Sequence, residues 1–468
     1  MEKRFGKRKI IILTIAILVA ILSLSIAIFG IIVSNKGNNS SIGLTEDITI
    51  GSQSYKRVKS SSGIVYKNTK GAEVLNYNYD KGVYVGDALA LKIYAYELNN
   101  GVIPGSADVW IWGNIDFSED HSGIEMVPIG TKAISFSGCF YGQGYKISNL
   151  PVCYLVSKEF NVYATGVDQD VMTNNFGMFY NLAGEIQNVH FESINWKIDL
   201  INDTEYYCGT NGSLHCTGSS TEPTHGYGHG LNCGLLISKL SSEATIKNCL
   251  FTDCSITLNA SRDYQRCGSI VGFIDEEGAL NVENSAINCN IKATTLQKRS
   301  YMNKTDEDNF NKMKQDSMGL AIGGVAGDIG FCSSINMVDS YYNGDMDIET
   351  YNWVVVGGIS GRLLLPAYKE QGFKIEIKNS YIQFSYLSIE CIENTPGVDI
   401  GMCSVCVLVH KEDKIDNFYD NNLDDNNLYY YTLQALEDLK IEIEDSSGTT
   451  KKELQTQGVT REDIFKGK

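Results

Sequence analysis

The chain has 468 residues, with 56 Asp+Glu against 39 Lys+Arg and a net charge of −17. So acidic a surface excludes a general nucleic-acid binder, which needs a basic face. With 45 Gly, 6 Pro, 27 Tyr and 17 Phe, the composition also excludes a disordered or proline-rich chain and points to a β-rich body with many tight turns.

The first nine residues, MEKRFGKRK, carry five basic side chains against Glu2. Ile10 to Val33 then run for 24 residues without a charge, and about 20 apolar residues span a bilayer as a helix. The rival is a cleaved signal peptide, whose apolar region is about 7–15 residues long and ends in a small-residue cut site. This run is longer, and IIVSNKGNN has no A-x-A site. The expectation is therefore a basic cytoplasmic tail at 1–9, a single transmembrane anchor at 10–33 and an exterior body at 34–468. The membrane is then the first partner. Residues 34–62 are rich in Ser, Asn and Gly and read as a flexible stalk, with an ordered first strand around Ile48–Ile50 as the alternative.

Asp87 is placed to cap a helix beginning at Ala88, with Leu91, Ala95 and Leu98 on one face and Gly101 where the helix stops. Such a helix would cover the open edge of a first rung. Beyond it the chain repeats. Each unit is a Gly-containing apolar strand, a turn, an apolar residue, any residue, Asn, and a second strand. Copies begin at Phe176, Cys233, Cys267, Ile322 and Val356, with a weaker one at Ile400. The marker residue is Asn188, Asn248, Asn284, Asp339, Asn379 and Asn417, at steps of 60, 36, 55, 40 and 38 residues. Polar inserts at about 200–232 and 295–317 account for the long steps.

Such uneven steps disfavour a propeller, whose blades are regular, and favour a parallel stack in which each rung touches only its neighbours. Parallel strands about 4.8 Å apart would let the recurring Asn bond to the Asn above and below. The pairs Gly323–Gly324 and Gly357–Gly358 fit corners where side chains would collide. The expected body spans 63–430. A cap and polar tail follow at 431–468, including a short closing helix at Thr432–Lys440.

Residues 84–150 contain ALALKIYAYELNNG, then ADVWIWGNIDF, then VPIG at 127–130 and FSGCFYGQGYKISNL from Phe136. This block resembles the opening of bacterial surface proteins with the GLUG motif and their filamentous-haemagglutinin-like relatives. Tyr141 stands where the family pattern has Asp, Gln143 where it has Asn, and Met126–Val127 where it has an aromatic. FGMFYNL, CGSIVGF, GGVAGDI and GGISGRL resemble degenerate copies of the G-L-x-G repeat. The resemblance covers roughly residues 84 to 420. It implies a right-handed parallel β-helix on the cell surface and no particular activity. Gly130, Gly138, Gly142, Gly144 and Asn149 are the structural positions of the opening block.

All thirteen cysteines lie beyond residue 138, on the oxidising side of the expected topology. Cys208 and Cys216 flank a short loop that suits a local disulfide. Cys233 and Cys267 each precede Gly in consecutive copies, which fits either a disulfide or a reduced ladder. Cys249, Cys254 and Cys289 read as small buried hydrophobes, and Cys403-Ser-Val-Cys406 as core strand. His225 and His229, with Cys216 and Cys233, are zinc candidates at irregular spacing, in a loop that also reads as plain solvated surface. Asp345, Asp347 and Glu349 alternate, so a strand would place three carboxylates on one face as a calcium candidate. The competing reading is a solvated strand face.

No catalytic residue and no cofactor is assigned; calcium and zinc stand only as the candidates named above. The sequence is read as non-catalytic binding, adhesion or display, with a glycan or a protein on another surface as partner. Tyr341, Tyr342, Tyr381 and Tyr386 are the aromatic candidates for contact. The alternatives are a carbohydrate-active lyase or hydrolase and a structural spacer.

Overall fold

Leu280 and Val282, then Ile335 and Met337, alternate with polar neighbours along short strands, and all four are fully buried. That period of two gives a sheet with one dry face. A computed structural model describes residues 44–160, 170–200, 229–260, 264–295, 320–330, 333–350, 354–363, 374–378, 380–383, 387–391 and 415–418. The expected membrane span, Asn379, Tyr386, Thr432–Lys440 and, apart from their ends, the two long inserts lie outside them. Among the described residues no helix is long and apolar enough to cross a membrane. The described chain is all-β apart from one α-helix and a short 3-10 turn.

Four sheets of 12, 6, 11 and 4 strands carry the repeats. One repeat contributes His229–Gly234 to the six-stranded sheet and Ile237–Leu240 to the four-stranded sheet. It then gives Glu243–Lys247 to the twelve-stranded sheet and Leu250–Ala260 to the eleven-stranded sheet. The next repeat supplies Tyr264–Gly268, Val271–Ile274, Ala279–Glu283 and Ala286–Thr295 in the same order. Each strand pairs in parallel with its counterpart: Cys233 with Cys267, Ile237 with Val271, Ile246 with Val282, Ile256 with Ile291. Like residues therefore stack in columns. Phe140, Ile186, Ile246, Val282 and Met337 form one inward column. Ile147, Phe191, Phe251, Ile287 and Tyr342 form another.

The marker residue sits at the corner between these two columns. Asn188, Asn248, Asn284 and Asp339 have φ of 57, 51, 43 and 49°, the left-handed region that Asn and Asp tolerate best. Their amides form a ladder: Asn284 Nδ2 donates to Asn248 Oδ1 at 2.8 Å, and Asn248 Nδ2 to Asn188 Oδ1 at 3.2 Å. Asn149 turns a second corner at φ 54° and donates to Asp116 Oδ1. A column not foreseen from the sequence lies one residue inward. The Cys249 N–H donates to Ser285 Oγ, the Ser285 N–H to Ser340 Oγ, and the Ser340 N–H to Ser380 Oγ, each at 3.0 Å. Asn417 does not extend the corner. Its strand, Ile415–Phe418, pairs with Leu387–Cys391 in the eleven-stranded sheet.

The adjacent pair Gly323–Gly324 does sit at a bend where side chains would collide, with Ala326 O and Gly358 O in the way, and glycines also recur in pairs four apart. Gly268 and Gly272, Gly323 and Gly327, and Gly357 and Gly361 bracket the bend from the six-stranded to the four-stranded sheet. A Cβ on Gly272 would lie 2.4 Å from Cys233 N, and one on Gly327 2.4 Å from Cys267 N. Backbone thus packs against backbone where the two sheets meet. At their margin Arg266 donates to Asp328 Oδ2 at 3.1 Å and to Asn232 Oδ1 at 3.0 Å, and stacks 4.1 Å over Phe273.

From Leu44 on, the stalk expectation is corrected in favour of its alternative, an ordered strand that includes Ile48–Ile50. Leu44–Ile50 and Gln53–Lys59 form an antiparallel hairpin around Gly51, and Gly63–Asn68, Glu73–Asn78 and Gly82–Val85 continue it as a meander. The repeat body therefore does not start at 63. Its first parallel strand, Val109–Ile111, pairs with Gly82–Val85, so the meander rather than the helix closes that edge. The helix, Ala88–Asn99, is capped by Asp87, buries Leu91, Ala95 and Leu98, and ends before Gly101 at φ 70°. It docks on the meander through Glu97, which is fully buried. Arg57 Nη2 donates to both Glu97 oxygens at 2.7 and 2.6 Å, and the Tyr66 hydroxyl donates at 2.7 Å.

The corner column can be tested at Asn248. Asn248→Ala and Asn248→Gly both delete the amide ladder, but only Ala keeps the left-handed strain. Urea unfolding should find both less stable than the wild type, with Ala below Gly by about 1 kcal/mol. Equal stability of the two variants would show that the corner conformation does not set the cost.

Candidate binding face

The outer face of the twelve-stranded sheet follows from the same alternation. Val109 and Ile111 point into the core, so Trp110 points out, and Trp112 follows it at the strand end. Registers Tyr84↔Trp110, Trp110↔Tyr141 and Tyr141↔Gln187 place Tyr84, Trp110, Tyr141 and Gln187 in one outward column. Lys247 and Glu283 continue it. Trp110 and Tyr141 stack with ring centroids 4.0 Å apart and planes 15° apart. Trp112 packs edge-to-face with Tyr84 at 5.5 Å and 82°. At 64% it is the most exposed large hydrophobic residue among those described. The Trp110 indole N–H is held by Lys81 O at 2.9 Å, and Gln143 Nε2 by Ile111 O at 2.8 Å.

Beside the aromatic column runs a polar one. The Cys139 N–H donates to Asp108 Oδ1 at 2.9 Å, and Gln187 Nε2 donates to Cys139 Sγ at 3.2 Å. Glu185 is in register with Cys139. Further along, Lys247 pairs with Glu283 at 2.6 Å, and Asn281 Nδ2 donates to Glu243 Oε1 at 3.0 Å. Burial pushes the Cys139 thiol above its ordinary value, and the neighbouring carboxylates Glu185 and Asp108 add to the shift against the bonds from Gln187 and Tyr141. The bond to Cys139, with partial burial, pushes the Tyr141 phenol up to about 12. Glu283 raises Lys247. On the rungs from Asp108 to Glu283, the carboxylates of Asp108, Glu185, Glu243 and Glu283 outnumber the Lys247 ammonium, so this stretch is acidic, with the exposed Lys81 at its end. It offers flat rings and hydrogen-bond acceptors.

The residues singled out from the sequence fall elsewhere. Tyr341 and Tyr342 are buried, at 6% and 0% exposure, because their strand turns both toward the packed side of its corner. They are core, not contact residues. Tyr381 begins the strand Tyr381–Gln383 and is in backbone register with Tyr341. Asp347 and Glu349 share the outer side of the strand Met346–Thr350, with Asp345 just before it, and alternate residues stand about 6.6 Å apart. Asp347 is taken by Lys292 at 2.5 Å. Among the described residues no group of three or more His, Cys, Asp or Glu side chains could hold a metal ion. His225, Cys208 and Cys216 lie outside the described residues, and His229 opens the strand His229–Gly234. Cys233 and Cys267 are in register as free buried thiols, a reduced ladder rather than a disulfide. Cys249, Cys254 and Cys289 are buried free thiols as well.

Gly130, Gly138, Gly142 and Gly144 all hold tight positions. Gly130 and Gly144 have φ of 92 and 80°, while a Cβ on Gly138 or Gly142 would lie 2.6 or 2.4 Å from a carbonyl oxygen. The aromatic face itself was missed. Its signal was the alternation V-W-I-W at 109–112, which puts both tryptophans opposite two core residues.

No protein-family model and no curated protein matches the chain. Among solved structures it is similar to a candidate immunoglobulin A1 protease from Bacteroides ovatus, at 13% identity and a TM-score of 0.33. The match covers 68% of this chain and 80% of that one. At that TM-score the likeness carries no argument about this chain.

The raised thiol gives a chemical test of the face. In the folded protein at pH 8, Cys139 should be alkylated by iodoacetamide more slowly than a free cysteine, because less of it is thiolate. Its rate should still be climbing above pH 9, followed peptide by peptide by mass spectrometry. A half-maximal rate below pH 8.5 would contradict the environment described here.

Proposed function

We propose that this chain is a surface protein of the GLUG-motif, filamentous-haemagglutinin-like kind. In this reading its parallel ladders wind as a right-handed β-helix, residues 10–33 anchor it in the membrane, and the body outside binds or displays without catalysis. The observation that carries the reading is the aromatic face. Four rings at Tyr84, Trp110, Trp112 and Tyr141 gather on the outside of a scaffold whose other large side chains are mostly inside. Rigid aromatic residues on a fixed sheet suit recognition, since little side-chain freedom is lost on contact. The constant in-register columns support the winding. The 24-residue uncharged run flanked by basic residues supports the anchor.

Two measurements test it on the full-length protein. Protease added to intact cells should digest the body and spare a tag at the N-terminus; a mature chain beginning after residue 33 and free in the medium would remove the anchor. Purified in detergent, the chain should bind cell surfaces or glycans saturably and leave them unaltered. Release of unsaturated or reducing ends from polygalacturonate, alginate, hyaluronan or chondroitin, with or without calcium, would replace binding by catalysis.

A further inference from the structure

We infer that Trp112 is the docking point for a neutral sugar chain, a deepening that rests on the binding role proposed above. The ring is both exposed and fixed. It stands 64% open to solvent, yet its edge-to-face packing on Tyr84 sets its plane. Among the described residues its indole N–H has no acceptor, whereas that of Trp110 is held by Lys81 O. A flat apolar face with a free donor at its rim matches a pyranose ring, whose C–H face stacks while its hydroxyls bond at the edge.

The surroundings leave room for such a ligand. The Trp112 backbone N–H bonds Val85 O, so continuing the register sets Trp112 beside Gly86. A Cβ built on Gly86 meets nothing within 4 Å, so the rung next to the indole is a bare, open shelf. On the other side Gln143 is exposed. Its amide nitrogen is taken by Ile111 O, which leaves the amide oxygen to accept.

Charge selects among sugars. Asp87 flanks the shelf, Asp108 and Glu185 line the adjoining column, and the whole chain carries −17. Carboxylates and amide oxygens accept from sugar hydroxyls but repel uronates, sulfates and phosphates. In the Trp110–Tyr141 stack each ring covers one face of the other. The pair extends the apolar floor and leaves Trp112 as the stacking ring.

The test uses the full-length protein in detergent and calorimetric titration with cellohexaose and mannohexaose. Polygalacturonate and chondroitin sulfate serve as anionic counterparts, and binding to whole cells runs in parallel. A neutral hexaose should bind. Trp112→Ala should weaken it about tenfold or more, Trp112→Phe should weaken it less, and Tyr154→Ala, an exposed ring on the six-stranded sheet, should leave it unchanged. Thermal unfolding of each variant confirms that the exposed substitutions keep the fold. Neutral-sugar binding indifferent to Trp112→Ala, or a preference for the polyanions, overturns the assignment. If cells bind but neither hexaose does, the binding role stands and the Trp112 assignment falls. The same holds if cell binding is abolished by protease treatment of the cells and not by periodate, since the partner is then a protein. If wild-type protein binds neither cells nor sugars, both readings fall.

Discussion

The backbone hydrogen bonds between in-register parallel strands are the constraint on which the rest depends. Each rung must offer its N–H and C=O groups at the height where the next one needs them, so the corners have to turn at the same place every time. A left-handed residue followed by a buried small one does this. Asn248 hands its amide to Asn188, and one residue on, the Cys249 N–H bonds Ser285 Oγ. Once the corners align, every side chain meets its counterpart one rung away. The inward columns become aliphatic and aromatic stacks such as Phe191 on Phe251, with centroids 4.7 Å apart.

What could be read from the sequence were features that repeat or cap locally. The Asn column, the helix at 88–99 with its Asp87 cap, and the buried character of Cys249, Cys254 and Cys289 each depend on a few neighbouring residues. What could not be read were features decided by position in the stack. Tyr341 and Tyr342 look the same in sequence as outward tyrosines; both lie inside because two buried positions meet at the corner after Ser340. The antiparallel course of the meander at 44–85 could not be read, and its Ser, Asn and Gly content competed with the one local sign of its first strand, the alternation T-E-D-I-T-I. Asn417 copied the marker's local spelling, and its strand joined another sheet.

The meeting of the six- and four-stranded sheets shows how tightly composition is bound to geometry there. Backbone touches backbone at Gly272, Gly327 and Gly361, and any side chain would have to displace main-chain atoms. That closeness leaves polar side chains at the margin without water. Arg266, Asp328, Asn232 and Asn175 answer by satisfying one another in a chain of hydrogen bonds. The outer face of the twelve-stranded sheet is under no such restriction, which is why its residue types can differ from rung to rung.

Strands that lie across the direction of stacking have a mechanical meaning. Tension drawn along the stack pulls on the N–H···O bonds of one rung at a time, close to their own axes, instead of shearing many together. A rung can then open while its neighbours stay closed, as in other arrays held by nearest-neighbour contacts. The step from Asn248 to Asn284 is 36 residues, and at about 3.3 Å per extended residue its release adds roughly 120 Å of slack. Under such a load the stack would therefore lengthen in large, separate increments.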